Sequence, residues 1–398
     1  MTSTAEGSNE LPHISKYRWA VLFALFFAFV VWAFVFQLVP PLLDTFQNYF
    51  NVDQAQSGLL MSMVVIPGIF LALPAGFIVN RYGFRLLGFL SISSVAAGSL
   101  TTALANIFAV ALLGRFILGI GGAFLIVGAP AVIPQWFSHK EMGKAMGIYG
   151  TNMPVATIIA FPTATVLAQN FEWRYPFYVG TAASLACALF FAVTMREGPL
   201  KGEAGSFRVE EIENAVKSVE VWKASIVWLF FETTALAFLT WAPKLFHSFK
   251  GLEPFYASIL ASVLMISAVF FVPLFGWASD RLGRRKPFIV VGSVFMALSL
   301  IAVAYASDLP LLFFVGTLGI SASMVPPLVM AIVAENLFPR LSGIGFSVIT
   351  MCQNVGITLS APLAGYLLQS TQSLQLTFLG ISLFSFAGAV MALTMKTK

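Results

Sequence analysis

"GFIVNRYGFR", residues 76–85, returns as "GWASDRLGRR" at residues 276–285. Each copy follows a long apolar run, and the same offset of 200 residues sets Gly119 opposite Gly319, Gly143 opposite Gly343 and Pro162 opposite Pro362. A repeat of this length makes the 398-residue chain two copies of one architectural unit.

The composition says where that unit lives. Hydrophobic residues make up 59% of the chain and charged residues 10%, with mean hydropathy +0.88, whereas a soluble domain carries about 25% charged residues. About twenty apolar residues, at ~1.5 Å per residue, cross a hydrocarbon core about 30 Å thick. Runs suited to this lie near 18–41, 56–79, 86–105, 107–135, 144–167, 175–195, 224–243, 255–278, 287–306, 309–334, 343–367 and 374–395. The alternating ten-residue segments of a membrane barrel are absent. The expected fold is therefore an all-α membrane protein with twelve transmembrane helices in two pseudo-symmetric six-helix bundles. In domain terms this is a tail at 1–17, a bundle at 18–195, a linker at 196–223, a bundle at 224–395 and a tail at 396–398.

The net charge of +5 is not a nucleic-acid footprint, because the basic residues follow the loops. With the N-terminus inside, only Arg174, Lys244 and Lys250 of the 22 basic residues fall outside, and Arg115 lies within a span. This bias predicts that both termini are cytoplasmic. The polar stretch 1–17 lacks the apolar core of a signal peptide, so the first span reads as an uncleaved anchor. Cys187 and Cys352 fall in apolar runs and read as packing residues. His13, His139 and His247 lie in loops or at span ends, which predicts no metal site. The charged linker "REGPLKGEAGSFRVEEIENAVKSVE" reads as a solvated arm followed by a short helix.

These residues resemble the major facilitator superfamily. The two ten-residue stretches are similar to the family's loop signature between helices 2 and 3 and its echo between helices 8 and 9. "GRFILGIGGA" at 114–123 is similar to its helix 4 motif, with Arg115 in the basic position. "WFSHKEMGKAMGIYG" and "EWRYPFYV" resemble the stretches that open helices 5 and 6. The resemblance covers essentially the whole chain and implies helices 1, 4, 7 and 10 around a central cavity. It also implies that the loops gate that cavity through Gly76, Asn80, Arg81, Gly83 and Arg85, and through Gly276, Asp280, Arg281, Gly283, Arg284 and Arg285. In the loops, glycine permits tight turns and close approach, while the arginines stay at the water interface. Asp280 keeps the carboxylate that latches this gate in the family, whereas Asn80 offers only a neutral amide, so the first latch is expected to be weaker. The proline-glycine signature of helix 5 in many antiporters of the family is missing from "GIYGTNMPVATIIAFP".

Two charges remain in span interiors, Arg115 and Glu232. Either costs about 2.5 to 3.5 kcal/mol at a helix centre on insertion scales, so each needs a cavity or a partner. Counting from Asn106 and Lys223 places both near the midplane, roughly 13 Å from those ends. Two readings stand for each. The charges meet across the cavity, directly or through substrate, with Glu232 as the proton-coupling or substrate-ammonium site and Arg115 as an anion-binding partner. Alternatively Arg115 is structural, bonded to Gln37 or helix carbonyls, and Glu232 is a protonated packing residue. Desolvation favours the neutral form of a carboxyl group, which suits reversible protonation. Trp32, Gln37, Trp241, Asn152, Gln353 and Asn354 are further cavity candidates, able to orient a ligand or to join helices. Register aligns Glu232 with Trp32, so the acid belongs to one copy only.

The chain has no nucleotide-binding loop, no HExxH and no paired intramembrane carboxylates, so an enzyme is not expected. The expectation is a proton-coupled secondary transporter, a symporter, that moves a small organic solute across the cell membrane by alternating access. The solute is a carboxylate, an amino-acid or peptide-like zwitterion, or another polar metabolite. The expected partners are that solute and the lipid bilayer, with no nucleic acid, no cofactor beyond a proton gradient, and a monomeric or loosely oligomeric state. A passive uniporter, a drug-type proton antiporter and a non-transporting sensor are the alternatives. Nitrate-type anions are disfavoured because helices 2 and 8 carry no interior arginine.

Overall fold

Prolines mark several of the helix ends in this chain, though others lie inside helices. The computed structural model describes residues 12–137, 141–196, 198, 218–336 and 342–395. The side chains of 12–15, 72, 73, 76, 77, 80, 334–336 and 342–347 lie outside that description. The first span, α1 (Pro12–Gln37), ends just before Pro40 and Pro41, whose nitrogens cannot donate back to Phe36 and Gln37. One 3-10 turn, Pro40–Leu42, then leads into a short helix that the span pattern did not anticipate, α2 (Leu43–Phe50). Leu43 and Phe46 bury the inner face of α2. A capping box opens α3 (Gln54–Tyr82): Asp53 accepts from the Gln56 amide at 2.7 Å, and Gln56 accepts from the Asp53 amide at 3.0 Å.

The remaining helices of the first half are α4 (Phe84–Ala103), α5 (Phe108–Val132), α6 (Met142–Gly150), α7 (Asn152–Asn170) and α8 (Tyr175–Thr194). The second half contains α9 (Val219–Lys250), α10 (Pro254–Leu282), α11 (Lys286–Tyr305), α12 (Asp308–Ala322), α13 (Pro326–Asn336), α14 (Ser342–Thr371) and α15 (Leu374–Leu393). Two expected spans are broken. The run 144–167 is divided between α6 and α7, because Pro154 withholds the amide that would bond the Gly150 carbonyl. The run 309–334 is divided between α12 and α13, where Pro326 and Pro327 do the same to Ala322 and Ser323. The linker's expected arm and short helix fall largely outside the described residues. α9 begins at Val219, earlier than the expected 224, and its 32 residues extend ~48 Å.

Among the described residues, eleven segments are long and apolar enough to cross a membrane. The twelfth expected run, 343–367, falls within the 30-residue α14. In the first half α1 packs on α5, α7 and α8, and α4 on α5 and α8. In the second half α9 packs on α14 and α15, and α11 on α12 and α15. The halves meet through α3 against α14 and α7 against α10. Ser62 Oγ donates to the Thr358 carbonyl at 2.5 Å, and the Thr165 and Ser258 hydroxyls lie 2.7 Å apart. At Gly58 a Cβ would stand 2.6 Å from the Ala361 carbonyl carbon, so only glycine lets these backbones approach. These contacts between halves lie toward the face away from the arginine-rich loops.

Candidate functional site

Glu232 sits on α9 at 7% exposure. Its Oε1 accepts from Trp228 Nε1 at 3.2 Å and from Gln353 Nε2 at 3.0 Å. Trp228 is one helical turn earlier on the same face, and Gln353 comes from α14. Next to the acid, Thr233 Oγ1 donates to the Leu229 carbonyl of its own helix at 2.8 Å and lies 3.3 Å from the Gly356 carbonyl of α14. Below it lies an apolar cluster that includes Trp228, Val221, Val227, Leu328, Ile332 and Ile349. This arrangement holds an acid in the protein interior with two neutral donors on one oxygen and, among the described residues, no cation paired to it.

Arg115 is elsewhere in its bonding. It is fully buried on α5, with Nε on the Leu60 carbonyl at 2.9 Å, Nη1 on Val35 at 2.8 Å and Nη2 on Phe36 at 2.7 Å. The Phe36 ring centroid lies 5.7 Å from the guanidinium carbon. The direct Arg115–Glu232 pair is therefore not formed. The carbonyls at the end of α1 lack helical donors and form the negative pole of the helix, and a guanidinium with five donors satisfies three backbone groups at once. Arg115 has carbonyls of α1 and α3 as its partners, and not Gln37.

The other candidates scatter. Gln37 is fully buried and donates to Thr157 Oγ1 at 3.1 Å, joining α1 to α7. Trp32 is 4% exposed, stacks on Phe36 with centroids 5.6 Å apart, and packs against Gly122. Trp241 donates to the Ala361 carbonyl at 2.9 Å, joining α9 to α14. Asn152 turns its Oδ1 to the Met153 amide at the start of α7. Asn354 presses its amide on Gly68 of α3, between the halves. Of the six, only Gln353 touches Glu232. Sequence reading missed Trp228, whose position four residues before the acid was the available signal. It also missed Pro40, the residue that leaves Arg115 an acceptor.

In the loops, Gly83 and Gly283 adopt positive φ of 78° and 61°, which glycine takes without a steric penalty. Gly276 makes no close approach, since a Cβ there would meet only Pro327 at 3.8 Å. Asp280 pairs with Arg285 at 3.0 Å within its own loop. Arg81 and Arg281 lie over the rings of Tyr82 and Trp277, and Arg85 donates to the Ala192 carbonyl at 3.2 Å. Arg284 is exposed. The side chain of Asn80 and the surroundings of Gly76 lie outside the described residues, so the first latch does too.

The family model described as Major Facilitator Superfamily matches residues 21–271 and 249–398. The "Probable nitrate transporter NarT" of Staphylococcus carnosus (strain TM300) is 25% identical over 367 residues, 91% of each chain. The "Probable nitrate/nitrite antiporter NarK1" of Thermus thermophilus is 24% identical over 294 residues, 71% of this chain and 65% of that one. Among solved structures, a bacterial homolog to the human lysosomal transporter Spinster, in an inward-facing and unoccupied conformation, aligns with TM-score 0.79. That alignment has 18% identity and covers 98% of this chain and 100% of that one. At such identity the likeness speaks for the fold alone.

Proposed function

The chain belongs to the Major Facilitator Superfamily and is an integral, multi-pass membrane protein, and from that premise we propose that it is a proton-coupled secondary transporter of a small polar organic solute. The carrying observation is Glu232: a buried carboxyl group held by Trp228 and Gln353, with no cation paired to it among the described residues. An acid without a fixed counter-charge exchanges its proton at lower cost than one locked in an ion pair, which suits a coupling site. The transport cycle in this reading is alternating access, which family membership supports. The contacts at Ser62–Thr358 and Thr165–Ser258 lie away from the basic loops. With those loops in the cytoplasm, as the charge bias predicts, this is a transporter of the cell membrane closed toward the outside.

Arg115 spends its nitrogens on backbone carbonyls, so substrate affinity does not rest on a free interior cation there. This weakens a reading in which Arg115 holds a substrate carboxylate, of a monocarboxylate or a zwitterion alike, and favours a polar solute recognised through hydrogen bonds. A second reading, nitrate or nitrite exchange, draws on the names of the relatives. Against it stand the interiors of α3 and α10, which carry no basic residue before Arg81 and Arg281. Proteoliposomes decide between them. Inward gradients of amino acids, dipeptides, sugars and monocarboxylates are tested for proton movement with a pH dye, and nitrate by counterflow. The proposal expects a solute-driven pH change with an organic compound; nitrate counterflow without proton movement would support the second reading, and solute flux without proton movement a uniporter.

A further inference from the structure

Lys244 projects from α9 and is one of the three basic residues expected on the outer face. Its side chain is only 9% exposed, and its Nζ lies 2.6 Å from Asp44 Oδ1 and 2.5 Å from Gln47 Oε1, both on α2 of the other half. Gln47 Nε2 donates in turn to Ser57 Oγ at 2.8 Å, and Ser57 Oγ donates to the Gln54 carbonyl at 2.9 Å, so the chain of bonds continues from α9 through α2 into α3. Trp241, one turn earlier on α9, has its ring centroid 5.8 Å from the ammonium and donates to α14. The pairs Arg18–Glu141, Arg174–Glu172, Lys223–Glu220 and Arg285–Asp280 each lie within one half. Lys244–Asp44 joins the two.

We propose that Lys244, Asp44 and Gln47 form a clasp that holds the halves together on the face away from the basic loops and sets how often that face opens. The chemistry follows from burial. Lys244 is desolvated only while the halves are closed, and there its charge is compensated by Asp44. If Asp44 is neutralised, closure leaves a buried ammonium without a counter-charge, so the separated state, in which water solvates Lys244, gains weight. α2 exists to bring the acid within reach: the proline pair at 40 and 41 ends α1, and the buried Leu43 and Phe46 hold α2 against the first half while Asp44, 44% exposed, faces Lys244. Pro243 breaks the hydrogen-bond ladder of α9 immediately before Lys244, which allows this end of the helix to bend separately from the Glu232 segment.

The test needs no substrate. Full-length protein with Cys187 and Cys352 replaced by Ala is spin-labelled at Asn48→Cys and Ser248→Cys, exposed positions on α2 and α9. It is placed in lipid nanodiscs, and the interspin distance distribution is measured. Asp44→Asn is expected to raise the ratio of long to short distances about tenfold, equivalent to about 1.4 kcal/mol, and Lys244→Gln to raise it by less, because an unpaired Asp44 stays partly in water, with the thermal unfolding midpoint unchanged in both. The charge swap, Asp44→Lys with Lys244→Asp, is expected to return the distribution toward that of the parent. Unchanged distances in both single variants overturn the proposal. So does a widening that the swap leaves in place, because that reports general loosening of the face.

Discussion

Arg115 Nη2 donates to the Phe36 carbonyl at 2.7 Å, and that carbonyl belongs to the residue four positions before Pro40, which has no amide to give it. The guanidinium thus completes the end of α1, while its Nε and Nη1 hold Leu60 and Val35. Loss of Arg115 should be felt as instability first. Arg115→Met is expected to cost about 2 to 4 kcal/mol, because it strands buried carbonyls. Arg115→Lys should recover only part of this, since one ammonium cannot span three acceptors. Thermal unfolding in detergent reads the effect; an Arg115→Lys protein of parental stability with altered substrate affinity would restore the binding role.

Two glycines predict opposite outcomes from one chemical change. At Gly356 a Cβ would stand 2.5 Å from the Leu229 carbonyl oxygen, within the second half. At Gly58 it would strike Ala361, between the halves. Gly356→Leu should destabilise the protein by at least the 1 to 3 kcal/mol typical of overpacking, lowering its unfolding midpoint. Gly58→Leu should leave the midpoint nearly unchanged and keep the halves apart on the face away from the basic loops, seen as a longer distance between labels at residues 48 and 248.

Among the positions at which the two loops differ is the carboxylate of the second copy. Asp280 has Arg285 as its partner at 3.0 Å, whereas the first copy carries Asn80, and its Arg85 turns to the Ala192 carbonyl. Asn80→Asp restores a carboxylate to the first loop. It is expected to strengthen closure on the basic face and to raise outward accessibility, read by cysteine labelling of the two faces of the cavity; unchanged labelling would show that the amide already serves as well as the acid.

The expected spans were legible in the apolar runs, because a span is written in about twenty consecutive apolar residues and needs no partner to be recognised. Breaks at Thr151 and at Ser323–Val325 followed from Pro154, Pro326 and Pro327, yet the span pattern merged each pair of pieces, since apolarity does not change at the break. The interior charges were legible as a set and not as a pairing. Arg115 had a candidate acid in Glu232 and equally good backbone acceptors at the end of α1, and depth along a helix does not say which way a side chain turns. Gln353 was recognised as a candidate, but its bond to Glu232 depends on the rotation of α14 against α9. Lys244 drew no attention in the sequence because a lysine at a helix end is usually hydrated, and only α2, invisible to a search for spans, brings Asp44 to it.

The claim at the centre is that Glu232 carries the coupled proton. The most direct measurement compares the protein with Glu232→Gln in proteoliposomes, where the solute that moves protons in the parent is supplied as a gradient and, separately, as equal labelled pools on both sides. The account predicts that Glu232→Gln abolishes uphill, pH-dependent accumulation and the accompanying proton movement while exchange between the pools continues. Full proton-driven accumulation by Glu232→Gln would contradict it.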